Sequence, residues 1–187
     1  GEGQQYDMDF ETRLDVTEEE YIEMIRLKTS VLLACAMKIG AILGDATEND
    51  ARLLYSVGEK LGLAFQLQDD LLDVYGDPKV FGKAIGGDIT SNKKTYMLIN
   101  AINRATPEQR EELMSWITTT PVAPDERQEK ITAVTRLYDQ IGIRSLCEHK
   151  INNYFTQAGS LLFNVGVPEG CKEQLRHYMD HLMHRKS

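Results

Sequence analysis

Three aspartates, Asp69, Asp70 and Asp73, interrupt the otherwise almost wholly apolar run GLAFQLQDDLLDVYGDPKVFGK at residues 62–83. On a helix, which turns by about 100° per residue, Gln66, Asp69, Asp70 and Asp73 fall on one stripe. Leu61, Leu63, Ala64, Phe65, Leu67, Leu71, Leu72 and Val74 take a much wider arc. That arrangement predicts a helix covered by protein over most of its circumference, with the acidic stripe turned to an internal cavity. Three carboxylates within a turn and a half repel one another, and burial adds to the cost, so they stay ionised only with cations among them. Hard oxygen donors of this kind suit Mg2+, which takes one or two carboxylates and keeps its other positions for water and phosphate oxygens. The stripe reads as half of a diphosphate site. By itself the spacing fits a solvated acidic face equally well, because the chain holds 29 acidic residues.

Cations close by favour the first reading. Lys83, Lys93 and Lys94 follow the aspartates within a glycine-rich stretch, interleaved with GGD at 86–88, where backbone can approach a ligand closely. Lys28 lies mid-helix between Leu27 and TSVLLACA, so its ammonium must snorkel to solvent or meet an anion. Each lysine alone reads as a surface charge. With a metal-binding stripe they describe a polyphosphate pocket.

The elements that must hold these groups are helical. Thr17 with Glu20 three residues on predicts a capping box, opening a long helix that runs to Gly44. A second, from about Asn49 to Tyr75, carries the aspartates and stops at YGDP. Residues 76–92 read as a loop. Helices follow in KKTYMLINAINRA, in TPEQREELMSWITT with Thr106 as cap and Pro107 at its first position, and over about Pro124–Gly142, Ile143–Val165 and Pro168–Arg185. The fold class expected is all-α, a bundle of long, largely core-facing helices, with TTTPVAP at 118–124 a connector. With 187 residues, 42% of them hydrophobic, the chain can bury one sizeable core and is expected to be a single soluble domain. A net charge of −8 argues against a broad nucleic-acid surface, and the apolar stretches are broken well short of a membrane span. Cys35, Cys147 and Cys171 show no ligand spacing and read as reduced core thiols in a cytoplasmic protein.

FQLQDDLLDVYGD (65–77), GKAIGGDITSNKKT (82–95), KTS (28–30) and GQQYD (3–7) together resemble, in order and spacing, the second half of trans-isoprenyl diphosphate synthases, the farnesyl and geranylgeranyl diphosphate synthase family. The short-chain farnesyl type is the nearest in pattern. The resemblance implies an isoprenoid-synthase bundle and Mg2+-dependent head-to-tail condensation of an allylic diphosphate with isopentenyl diphosphate. It matches Asp69, Asp70 and Asp73 to the second aspartate-rich metal motif, with Asp69 the direct ligand. Lys28, Lys83 and Lys93 match lysines that neutralise the allylic diphosphate, and Thr29 and Gln66 match polar groups near the ionising carbon. Asp88 would orient a lysine or a metal-bound water, Gln4 and Asp7 would line the cavity, and HRKS at the C-terminus resembles a basic tail over the isopentenyl site. Relatives are usually homodimers. The family's first aspartate-rich motif and its arginines lie upstream of GQQYD, so residues 1–187 are expected to be the C-terminal portion of a longer enzyme and inactive alone. Two other readings are a noncatalytic partner subunit, which has no reason to keep clustered charges, and a terpene cyclase or squalene-type synthase, which the GK…GGD…NKK loop disfavours.

Overall fold

The computed structural model describes residues 15–81 and 85–184, and among these every regular element is helical. They form two compact units. One contains Ile22–Leu67 and the described chain from His149 onward; the other contains the described residues up to Tyr21 and those of Gln68–Glu148.

Helix α1 (Glu18–Ile25) opens on the expected capping box: the Glu20 amide donates to Thr17 Oγ1 at 3.1 Å and the Thr17 amide to Glu20 Oε1 at 3.4 Å. The long helix expected from Thr17 to Gly44 is interrupted. Arg26–Ser30, reading RLKTS, is a π-helical turn, and α2 (Val31–Leu43) continues from it to a cap at Gly44. A π turn accommodates an extra residue and recurs at functional positions. Its inner residue, Ser30, is fully buried and donates to the Arg26 carbonyl at 3.2 Å. A Cβ on Gly62 would stand 2.6 Å from Ser30 Cβ, so only glycine at 62 lets this turn seat against the next helix.

That helix, α3 (Glu48–Tyr75), starts where Thr47 Oγ1 accepts the Asp50 amide at 3.1 Å. It buries Leu54, Val57, Leu61, Leu63, Leu67, Leu72 and Val74. At roughly 1.5–3 kcal/mol each as an upper bound, their burial supplies on the order of 10 kcal/mol. That outweighs the several kcal/mol needed to take a paired carboxylate out of water, so the same helix can hold aspartates inside.

The segment expected as a loop at 76–92 contains two short helical turns, α4 (Pro78–Phe81) and α5 (Gly87–Thr90). Four-residue turns carry too little periodicity to be read in sequence. Helix α6 (Tyr96–Arg104) is capped by Thr95, whose hydroxyl accepts from the Leu98 amide. Helix α7 (Pro107–Ile117) has a capping box between Thr106 and Gln109. Helix α8 (Pro124–Ile141) ends at Gly142, with φ of 83°. Helices α9 (Ile143–Phe163) and α10 (Glu169–Met183) complete the order.

Two expectations need correction. Of the three cysteines only Cys147 is buried; Cys35 and Cys171 are exposed on α2 and α10. A lone cysteine follows the face its helix gives it, and its small side chain costs little in water. Helix α2 is also not wholly core-facing: Leu33, Ile39, Ile42 and Leu43 are exposed. None of the described helices is long and apolar enough to cross a membrane.

Candidate diphosphate site

The site-bearing residues of the second unit gather around the C-terminal part of α3. The three aspartates of the stripe sit in different settings. Asp69 is partly exposed, whereas Asp70 is 1% and Asp73 6% exposed. Asp70 Oδ2 accepts a hydrogen bond from the Tyr21 hydroxyl, and its Oδ1 stands 3.6 Å from Lys93 Nζ. Lys93 Nζ is also 3.9 Å from Asp88 Oδ1, so one ammonium lies between two carboxylates. Asp73 Oδ2 accepts the backbone amide of Asp88 at 2.9 Å. Acid and cation thus alternate across the stripe, and the buried charge of Asp70 has a phenol and an ammonium beside it.

Backbone geometry explains how the GGD segment reaches α3. The Gly86 amide donates to the Asp73 carbonyl at 2.6 Å, with Gly86 at φ of 90°. A Cβ there would meet the Ile131 side chain at 2.6 Å. Gly86 is therefore required twice, for its left-handed backbone and for its missing side chain. The Gly86 backbone thus comes close to Asp73 and Ile131. Gly87 adds room beside the carboxylate, since a Cβ on it would come 3.7 Å from Asp73 Oδ1.

Tyr21 is the member of this cluster that sequence reasoning missed. It is 1% exposed, and burial first, then Asp70, push its phenol well above its ordinary pKa, so it is a proton donor throughout the physiological range. A buried tyrosine needs a partner for its hydroxyl, and that is the signal the sequence carries. The partner, 49 residues away, is legible only in three dimensions. Burial likewise pushes the Cys147 thiol up, with the Asp70 charge adding to it.

Lys28, exposed, and Thr29 belong to the π turn of the first unit, and Gln66, partly exposed, lies one turn before Asp69 and Asp70 on α3. Lys83, Gln4, Asp7 and the terminal residues 185–187 lie outside the described residues.

Among the described residues no group of three or more acid, histidine or cysteine side chains is arranged to hold a metal ion by itself. The donor set still fits magnesium, which needs only one or two protein carboxylates beside phosphate and water. Asp69 is the partly exposed carboxylate of the stripe, while Asp70 and Asp73 are buried against protein donors.

Residues 1–135 match the model of the family described as polyprenyl synthetase. A geranylfarnesyl diphosphate synthase of Aeropyrum pernix is 33% identical over 98% of this chain and 55% of its own length. A short chain isoprenyl diphosphate synthase of Methanothermobacter thermautotrophicus is 50% identical over 61% of this chain and 35% of its own. The chain spans about a third to a little over half of the length of these curated relatives. Among solved structures, a geranylgeranyl pyrophosphate synthase superposes with a TM-score of 0.92 at 41% identity, covering all of this chain and 57% of that one. The synthase from Corynebacterium glutamicum complexed with isoprenyl diphosphate and magnesium superposes at 0.87 with 28% identity, over 98% of this chain and 51% of that one. With the all-α fold and a family match over most of its length, the chain belongs to the polyprenyl synthetase family.

Proposed function

We propose that this chain supplies the second aspartate-rich motif and the diphosphate-binding lysines of a short-chain prenyl diphosphate synthase. The reaction joins an allylic diphosphate to isopentenyl diphosphate, head to tail. The allylic C–O bond breaks with its electron pair leaving on diphosphate, the isopentenyl double bond forms the new C–C bond to the allylic cation, and a proton is lost. One observation carries the proposal: Lys93 Nζ lies 3.6 Å from the buried Asp70, on the stripe that also bears Asp69 and Asp73, and 3.9 Å from the part-exposed Asp88. An ammonium fixed before the substrate arrives stabilises a departing anion without reorganising at the moment of reaction.

In this reading Lys93, with Lys28 and Lys83, neutralises the leaving diphosphate, and Asp88 orients Lys93. Tyr21 holds Asp70 in place. Thr29 and Gln66 place polar oxygens near the ionising carbon, a role that rests on the family resemblance. Asp69, with Asp70 and Asp73 behind it on the stripe, would hold magnesium. When bound, magnesium supplies Lewis-acid neutralisation of the diphosphate oxygens. The homodimer and the cytoplasmic setting belong to the same proposal and rest on the resemblance alone.

The test is transfer of radiolabel from isopentenyl diphosphate into a longer allylic product by the full-length protein, with Mg2+ and a short allylic primer. The expected result is incorporation abolished by chelation and reduced in Asp69→Asn. Absence of incorporation overturns the enzyme reading in favour of a noncatalytic partner subunit. The 187 residues contain a single aspartate-rich motif of this kind. Turnover by residues 1–187 alone would overturn the expectation that a second motif is needed.

A further inference from the structure

Lys130, on α8, is 1% exposed although it carries an ammonium. Its Nζ donates to Asn92 Oδ1 and to the Thr119 carbonyl, the latter at 2.7 Å. Asn92 Nδ2 donates to the same Thr119 carbonyl at 3.1 Å, closing a triangle of three hydrogen bonds. A buried ammonium is costly, and a methionine of similar length would fill the space without that cost. What the charge adds is a hold on Asn92.

Asn92 is where α5 ends. Its φ is 58°, and its amide donates to the Ile89 carbonyl while the amide of Lys93 donates to the Asp88 carbonyl at 3.0 Å. This is a Schellman ending, with the left-handed residue followed immediately by Lys93. The direction in which Lys93 leaves the turn is set by the Asn92 conformation. Asparagine tolerates a left-handed backbone, and the triangle fixes the side chain from outside the turn. We propose that Lys130 is a positioning residue that sets Lys93 between Asp70 and Asp88 by clamping the left-handed Asn92. The consequence for catalysis rests on the functional reading above; the clamp itself does not.

Two variants separate the clamp from folding. Lys130→Met removes the ammonium and keeps the buried stem, and Asn92→Gly keeps a left-handed backbone while losing the clamped side chain. Hydrogen exchange in the full-length protein reads the clamp directly. The Lys93 amide should lose at least about tenfold of its protection in both variants, while amides within α6 change far less. For catalysis, kcat/KM should fall about tenfold in Lys130→Met, and the loss should disappear when Lys93 is already methionine. A merely structural lysine would lower activity by the same factor in both backgrounds. Unchanged protection at Lys93 in both variants overturns the proposal, as does an undiminished Lys130→Met effect in the Lys93→Met background. If the unaltered enzyme transfers no prenyl group, the functional reading fails and exchange at Lys93 still decides the clamp.

Discussion

Removing a single oxygen, by Tyr21→Phe, tests how the buried charge at Asp70 is held. Both residues are 1% exposed, and the phenol is the donor to Asp70 Oδ2. A hydrogen bond to a charged group contributes about 1.5–3 kcal/mol, and with its donor gone the buried oxygen also loses compensation for desolvation. The expected loss of stability is about 2–3 kcal/mol, read as a fall in urea midpoint at constant slope. A cycle of Tyr21→Phe, Asp70→Ala and the double variant should return a coupling of about 1.5–3 kcal/mol. The same bond has an alkaline signature. The phenol is raised in the folded protein, so its contribution is complete below the unfolded value near pH 10 and is lost as pH rises above it, where only the unfolded chain gives up the proton. That costs about 1.4 kcal/mol per pH unit for each such group. Tyr138, also buried and raised, adds to the slope. Tyr21→Phe should therefore flatten the fall in stability above pH 10 by one proton's worth. A coupling near zero, with an unchanged alkaline slope, would refute the reasoning.

Other consequences follow from particular side chains. Burial raises the Cys147 thiol and closes it off, whereas Cys171 is exposed; a disulfide reagent at neutral pH should label Cys171 in the native protein and Cys147 only on unfolding, as mass mapping would show. Gly86→Ala imposes a side chain on a left-handed backbone and drives it into Ile131, so a loss of about 2–4 kcal/mol is expected, roughly 1 from backbone strain and 1–3 from overpacking. Adding Ile131→Ala should relieve the overpacking part and leave the backbone part, a separation that denaturant titration can measure.

Much of the frame was legible in sequence, because capping residues and helical periodicity are local. Thr17 with Glu20, Thr106 with Pro107, and Gly142 mark helix ends where the structure has them. The acidic stripe could be read as sharing one face because helical geometry alone determines it. The different settings of Asp69, Asp70 and Asp73 could not, since these depend on Tyr21 and on the Gly86–Asp88 backbone. The π turn at Arg26–Ser30 was hidden as well, because the local pattern there is plain helix and the Gly62 on which Ser30 packs closely is 32 positions away. Nothing in the local sequence sets Lys130 apart from the other charges of its polar helix, and its contacts with Asn92 and the Thr119 carbonyl exist only in three dimensions.

In the proposed function the stripe of Asp69, Asp70 and Asp73, with Lys93, would bind diphosphate together with magnesium. Calorimetric titration of the full-length protein with inorganic pyrophosphate, with and without Mg2+, tests it most directly. Binding should require Mg2+ and weaken by at least about tenfold in both Asp69→Asn and Lys93→Met. Binding that is absent, that proceeds equally well without Mg2+, or that ignores both substitutions would contradict the account.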